Sequence, residues 1–301
     1  MYELIIIGAG PAGMTAAVYA ARKKMQTLLI TEDFGGQLMW TMSIENYMGY
    51  QYITGPELME KFKNQMEQYG VEQRAGRVLR VEKQAAAFLL HMEDGGFYEG
   101  KTIIIATGKR PRMLNIPGEE RLKGRGVSYC ATCDGPLFSG LDVAVIGGGN
   151  SGVQAALELS AVARKVYLVI RSRYTADEIL LAKMQKTDNI QALIKFDILE
   201  IKGDKLVTGV VLKNRQSQTI REVPVQGVFV EIGLAPNSAL VEGLVNFNDR
   251  KEILVDCRCR TNVPGLLAAG DVTIAPEKQI VVAAGEGAKA TLQAYAYLLQ
   301  N

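Results

Sequence analysis

The stretch SYCATCDG, residues 128–135, sets two thiols three positions apart in a chain with only two other cysteines. Cys130 and Cys133 in this spacing can serve three ends. They can close a small-ring disulfide whose freed thiolate attacks another sulfur. They can supply half of a tetrahedral zinc site. They can also be two small packing residues. Asp134 follows directly, where a carboxyl can deliver a proton to a departing thiolate or cap a helix.

The frame around the pair is large enough to hold such chemistry in place. The chain has 301 residues, 48% of them hydrophobic and 22% charged, which predicts about two domains with substantial cores. Its net charge of +2 comes without a long basic run, which speaks against nucleic acid as a partner. Glu3 stands where a signal peptide would carry positive charge, and no apolar run reaches the ~20 residues of a membrane span. A cytoplasmic enzyme is the expectation, and there a CxxC pair is redox-active or metal-binding more often than a permanent structural bridge.

The chain contains one pattern twice. LIIIGAGPAGMTAAVYAARKKMQTLLITE and VAVIGGGNSGVQAALELSAVARKVYLVIR each read as a strand, a glycine cluster, an Ala-rich helix and a second strand. Gly8, Gly10 and Gly13 in the first, and Gly147, Gly149 and Gly152 in the second, form G-x-G-x-x-G. The first glycine makes a tight turn, the second lets backbone approach a pyrophosphate, and the third lets helix pack on strand. The helix N-terminus adds partial positive charge, so both units predict dinucleotide binding.

The residue ending the second strand reads the adenosine ribose. Counting 24 from Gly8 reaches Glu32, suited to ribose hydroxyls and repelling to a 2′-phosphate. The same offset from Gly147 reaches Arg171, with Arg173 two further on. A guanidinium fork suits a 2′-phosphate, so FAD is expected at the first turn and NADPH rather than NADH at the second; solvated loop arginines are the alternative. Residues 103–111, IIIATGKRP, predict a buried strand ending in Ala106, Thr107 and Gly108 and a crossover between domains. LLAAGDVT, 266–273, places Asp271 at a strand end within reach of a ribityl hydroxyl, before a helix predicted from Gln279 to about Leu299. That helix start would stabilise negative charge on a reduced flavin.

The succession GAGPAG, FGGQL, IENY, ATG, CATCDG, GGGNSG, IGLAPN and AAGDV resembles the low-molecular-weight thioredoxin reductase family over essentially the whole chain. FGGQ, IENY, CDGPLF, GGGNSGVQAA and KQIVVAAGEGAKA are especially similar to the reductase module of the alkyl hydroperoxide reductase flavoprotein. That flavoprotein carries additional N-terminal thioredoxin-like domains, whereas this sequence opens on its first Rossmann strand and is expected to need a separate disulfide partner. The resemblance implies an α/β fold of two Rossmann-like domains of the three-layer ββα type, the second inserted in the first. Residues 1–112 with 245–301 would bind FAD, and 113–244 would bind the pyridine nucleotide and carry the CxxC. It further implies that Gln37, Asn46, Asp271 and Gln279 contact the flavin. Cys130 and Cys133 become the redox disulfide, Asp134 the acid, a thioredoxin-like protein the acceptor, and the enzyme a homodimer.

The sequence departs from the family where NADPH-dependent members carry His-Arg-Arg, for here Ile170-Arg171-Ser172-Arg173 stands. An acid suited to NADH is equally missing at Ile170. NADH or reduced ferredoxin thus stay open as donors, as does a flavin thiol oxidase passing electrons to oxygen. Zinc would need two more ligands, and the remaining candidates are a distant Cys257-x-Cys259 and one histidine, His91. Cys257 and Cys259 read as same-face packing residues of a strand EILVDCRC, and His91 as a strand residue. Leu137 and Phe138 could offer an apolar docking surface beside the pair, or simply fill the core.

Overall fold

The computed structural model describes residues 1–41 and 44–301, and its chain divides into two compact units. Unit 1 comprises 1–39, 45–110 and 235–301, and unit 2 comprises 40–44 and 111–234. In chain order, unit 1 begins with β1 (Tyr2–Ala9), α1 (Pro11–Arg22), β2 (Thr27–Phe34), α2 (Gly55–Glu67), β3 (Glu72–Ala75), β4 (Val78–Lys83), β5 (Phe88–Met92) and β6 (Phe97–Ile105). A short β7 (Lys109–Pro111) leads on to β8 (Val127–Ser128), α3 (Ala131–Asp134), β9 (Asp142–Ile146), α4 (Asn150–Ser160), β10 (Lys165–Ile170), α5 (Glu178–Met184) and β11 (Ile190–Ile194). Then come β12 (Phe196–Gly203), β13 (Val207–Asn214), β14 (Ile220–Pro224), β15 (Gly227–Val230), β16 (Leu234–Pro236), β17 (Leu266–Ala268) and α6 (Ile280–Leu298).

Unit 2 is built on a parallel sheet and unit 1 on a mixed one, in which β5 pairs antiparallel with both β4 and β6. In unit 1 the strand order is β3-β2-β1-β6-β5-β4, with β17 also pairing β6. In unit 2 it is β11-β10-β9-β15-β8, and β12, β13 and β14 form a separate antiparallel sheet. The alternation of β9 shows why unit 2 has three layers. Val143 and Val145 pack with Val153, Ala156 and Leu159 of α4, while Ala144 and Ile146 pack with Ile201, Val210, Leu212 and Val223 of the antiparallel sheet. Covering both faces demands the continuous apolar run that the sequence displays. In unit 1, Ile5 and Ile7 of β1 join Val81, Phe88 and Leu90 in one core, and α1 packs on α6.

The helix expected after Gln279 is α6, with Gln279 as its N-cap, and His91 lies in β5 as expected. Cys257 and Cys259 correct the sequence reading. They lie in a turn, not a strand, because the Asp256 carboxylate accepts the backbone N–H groups of Arg258 and Arg260 at 2.9 and 3.0 Å. The two thiols are therefore unlike. Cys257 is exposed, whereas Cys259, at φ 64°, is buried and its thiol is pushed up to about 12, chiefly by burial. No helix among the described residues is long and apolar enough to cross a membrane.

Candidate active site

Each glycine turn is dictated by a close approach. Gly8 has φ 105°, and a Cβ there would stand 2.4 Å from the Ala106 carbonyl oxygen. Gly147 has φ 147°, and its Cβ would stand 2.2 Å from the Glu231 carbonyl oxygen. Only glycine fits such a turn. Gly13 and Gly152 are excluded from bearing a side chain by the carbonyls of Gly8 and Gly147, at 1.8 and 2.4 Å. Gly10 differs, since nothing lies within 4 Å of its Cβ position, and at Gly149 only Thr175 Oγ1 is near, at 3.4 Å. Neither α1 nor α4 has a side-chain cap, so their first N–H groups remain available to an anion. These cradles fit a dinucleotide at each turn.

Around the first turn, the structure pairs residues far apart in sequence. Gln37 Nε2 donates to Asp271 Oδ2 at 3.3 Å, and Asn46 Nδ2 donates to Gln279 Oε1 at 3.2 Å. Thr107 Oγ1 donates to the Asn237 carbonyl at 2.7 Å, and the Asn237 N–H donates to the carbonyl of Gly108, itself at φ 66°. Burial raises the Asp271 pKa, opposed by Lys278 and Lys109. Those lysines share Glu252: Lys109 Nζ bonds its Oε1, and Lys278 Nζ lies 3.7 Å from the same oxygen. This buried ion cluster is invisible in the sequence because no local spacing joins its members. Glu32 is exposed at the end of β2, with Arg77 Nε at 3.7 Å.

At the end of β10, Arg171 Nε bonds Asp197 Oδ1 at 3.1 Å. Arg215 Nε lies 3.4 Å from the other oxygen of Asp197, adding a third arginine that the offset from Gly147 could not reveal. Arg173 contributes its backbone, the carbonyl lying 3.1 Å from the Cβ position of Gly148. The loop after β10 is thereby folded onto the glycine turn, with Thr175 N–H donating to the Gly148 carbonyl at 2.8 Å.

Cys130 and Cys133 form a disulfide at the start of α3, with Cα atoms 5.3 Å apart. Cys130 is the N-cap, and its Sγ accepts the Cys133 N–H at 3.2 Å. The helix is one turn long, continuing as a 3-10 turn over Gly135–Phe138, so its dipole is far smaller than a full helix would supply. Asp134 Oδ2 accepts the Ser128 hydroxyl at 2.5 Å, and its Oδ1 is buried without a hydrogen-bond partner. Burial raises the Asp134 pKa despite Ser128, which favours the protonated acid. Ser128 gives no sign of this role in the sequence although it opens the quoted stretch. Glu231 is a further site residue that no motif marks. Burial pushes its pKa up to about 7. Of the two apolar residues that follow the pair, Leu137 is exposed, while Phe138 packs edge-on against Phe229 at 5.1 Å. No cluster of three or more potential metal ligands occurs among the described residues.

The chain is 43% identical over its full length to the F subunit of alkyl hydroperoxide reductase from Pseudomonas aeruginosa, and 42% identical to a Bacillus subtilis protein named NADH dehydrogenase. It spans 59% of the length of each. Among solved structures, thioredoxin reductase from Streptococcus pyogenes matches with a TM-score of 0.96 and 39% identity, covering 100% of this chain and 99% of that one. Lactococcus lactis thioredoxin reductase, at 41% identity and full coverage of both chains, gives 0.69. A family profile matches residues 2–287, and the chain belongs to the pyridine nucleotide-disulphide oxidoreductase family, which implies FAD and a pyridine nucleotide as cofactors.

Proposed function

We propose that the chain is a flavoprotein disulfide reductase, passing two electrons from NADPH through FAD to Cys130–Cys133 and onward to the disulfide of a thioredoxin-like protein. The observation that carries this reading is the CxxC disulfide beside Asp134, whose carboxyl burial pushes up from its ordinary range, in a chain that also holds two dinucleotide cradles. Residues 1–112 with 245–301 would be the FAD domain, and 113–244 the pyridine-nucleotide domain. The family resemblance extends the reading to a homodimer working in the cytoplasm.

FAD supplies the conversion of a two-electron hydride donor into a reductant for a disulfide. The chain's own residues do the rest. Gly8, Gly10 and Gly13 open the backbone to the pyrophosphate, with Gln37, Asn46, Asp271 and Gln279 gathered as polar contacts. Gly147, Gly149 and Gly152 do the same for the donor. Asp134, whose pKa burial raises and which Ser128 orients, gives a proton to the sulfur that leaves when the Cys130–Cys133 bond is reduced. The freed dithiol attacks the partner disulfide through a mixed disulfide, and Leu137 is the exposed apolar residue nearest in sequence to receive that partner. The net reaction takes NADPH, a proton and a protein disulfide to NADP⁺ and a dithiol.

NADPH is supported by Arg171 and Arg215 gathered on one acid, Asp197, with Arg173 two residues further along the same loop. NADH is the second reading. It is favoured by the engagement of Arg171 with Asp197 and by the name of the Bacillus subtilis relative. An anaerobic titration of the purified yellow protein with each nucleotide tests both. Bleaching of the flavin by NADPH at micromolar levels is expected. If neither nucleotide bleaches it while dithionite does, the donor assignment fails.

A further inference from the structure

β8 delivers the chain to the CxxC, and the residues on either side of Cys130 are anchored on opposite faces of the unit 2 sheet. Ala131 packs in one cluster with Val153 and Leu159 of α4, whereas Tyr129 packs with Leu114 and Ile116 on the side of the antiparallel sheet. The Tyr129 anchor is also polar. Its hydroxyl donates to Glu119 Oε1 at 3.0 Å, with Met113 Sδ 3.1 Å away. Glu119 is 1% exposed, and both of its oxygens are in use: Oε1 also accepts the Leu114 N–H at 2.9 Å, and Oε2 accepts the Asn115 N–H at 2.7 Å. Behind it, Gly118 has φ 90°, and a Cβ there would stand 1.9 Å from the Ile201 carbonyl oxygen. The Ile201 N–H in turn donates to the Pro117 carbonyl at 2.9 Å, so the turn that bears Glu119 is mounted on β12.

We propose that Tyr129 is a positioning residue for the Cys130–Cys133 pair: its hydrogen bond to Glu119 fixes the backbone that enters the CxxC turn, holds the two thiols at closing distance and so sets the reduction potential of the disulfide. The proposal rests on reading that pair as the working dithiol. Two thiols close more readily the more often the chain brings them together, and a bond that removes freedom from the entering backbone raises that frequency. Three neighbours fix Cys130. Ser128 Oγ accepts its N–H at 3.1 Å, Ala131 is buried in the α4 cluster, and Tyr129 is tied to Glu119. Ser128 also serves Asp134, and Ala131 has no polar side chain, so the Tyr129 hydroxyl is the anchor that can be removed by itself. Burial raises the Tyr129 pKa and Glu119 adds to it, so the phenol keeps its proton and stays a donor. Glutamine cannot replace Glu119, because its amide nitrogen would face the N–H of either Leu114 or Asn115.

Tyr129→Phe removes the hydroxyl and keeps the ring. Holoenzyme and variant are equilibrated under argon in glutathione buffers of graded ratio, where the protein disulfide and two glutathione thiols exchange for the protein dithiol and one glutathione disulfide. Acid quenching, alkylation and mass spectrometry then give the reduced fraction of Cys130 and Cys133. The Y129F equilibrium should move about fivefold toward the dithiol, which raises the potential by about 20 mV. Glu119→Gln should move it the same way by at least as much, and the double variant no further than E119Q alone, since both changes remove one bond. Should E119Q fail to fold, Y129F alone decides. Asn189→Ala controls for lost stability. It deletes bonds to the Ser160 and Ala163 carbonyls at 2.9 and 3.1 Å, beside β11 at the opposite edge of the sheet from β8, and should lower the melting temperature with the potential unmoved. A wild-type potential in Y129F, or an equal shift in N189A, would overturn the proposal. The function reading fails by a different result: no alkylatable thiols at Cys130 and Cys133 after anaerobic reduction with NADPH or NADH. The glutathione equilibria would still decide the role of Tyr129.

Discussion

Ala106 and Glu231 occupy the same place in the two halves of the molecule. Each leaves the strand beside the first strand of its glycine turn, and each puts its carbonyl where the first glycine would otherwise carry a Cβ. After each comes a hydrophobic or hydroxyl residue and a glycine of positive φ: Thr107 and Gly108 in one half, Ile232 and Gly233 in the other. The backbone requirement is thus identical, and the side chains diverge. In unit 1 the position is a buried alanine; in unit 2 it is a carboxyl whose pKa burial pushes up to about 7. A repeated fold therefore keeps the peptide geometry that a dinucleotide needs and leaves the strand-exit side chain free to serve what is packed next to it.

The largest way to break this comparison is to remove what unit 2 has and unit 1 lacks. Cys133→Ser should abolish reduction of a partner disulfide, while anaerobic bleaching of the flavin by the donor survives. A variant that still reduced the partner at the wild-type rate would show that the dithiol is not on the electron path.

The next largest effect separates the glycines by what surrounds them. Gly147→Ala meets a backbone carbonyl at 2.2 Å and a forbidden φ, which should cost about 3 kcal/mol or more in denaturant unfolding. Gly10→Ala and Gly149→Ala meet open space or ordinary contact, so both should fold normally. Their functional consequences should part: Gly10→Ala weakens FAD retention on gel filtration, and Gly149→Ala leaves the protein yellow but raises KM for the donor. Equal loss of flavin from both would mean that the turns do not have separate ligands.

How much of the molecule is legible in its sequence follows from how local each constraint is. The glycine turns are legible because tight φ and a blocked Cβ are imposed within a few residues, and the long helix α6 is legible from its apolar run after Gln279. Gln37 and Asp271 are 234 residues apart, and nothing in either phrase demands the other, so only the family resemblance placed them together. Glu231 stays hidden because its role comes from strand order, which sets β15 between β8 and β9. Cys257 and Cys259 mislead because their alternation suggests a strand where Asp256 folds the chain into a turn.

A smaller effect is expected from pH. The folded-state pKa of Glu231 lies above its ordinary value of 4.5, so the stability it contributes is fully present below about 4.5 and is lost as pH rises through about 7. Ala106 offers unit 1 no counterpart. Urea unfolding at a series of pH values should find E231Q gaining on the wild type as pH increases across that window, and a constant difference would show that the carboxyl titrates normally in the fold.

The smallest effect concerns the equivalent positions at the ends of β2 and β10, where Glu32 in one half corresponds to Arg171 in the other. Arg171 has a side chain 78% exposed, and an exposed pair with Asp197 is worth about 0 to 1 kcal/mol, so releasing it changes affinity by about fivefold at most. Asp197→Asn removes the competing acid and leaves Arg171, Arg173 and Arg215 to a 2′-phosphate. KM for NADPH should therefore fall within that limit while KM for NADH stays put, and Arg171→Ala should raise the first without the second. Salt should erase both changes, because exposed charges are screened over about 8 to 10 Å near physiological ionic strength. Should the two nucleotides respond alike, the arginines do not read the phosphate, and the second half would discriminate at its ribose end no more by charge than a bare loop does, which leaves NADH as the better donor.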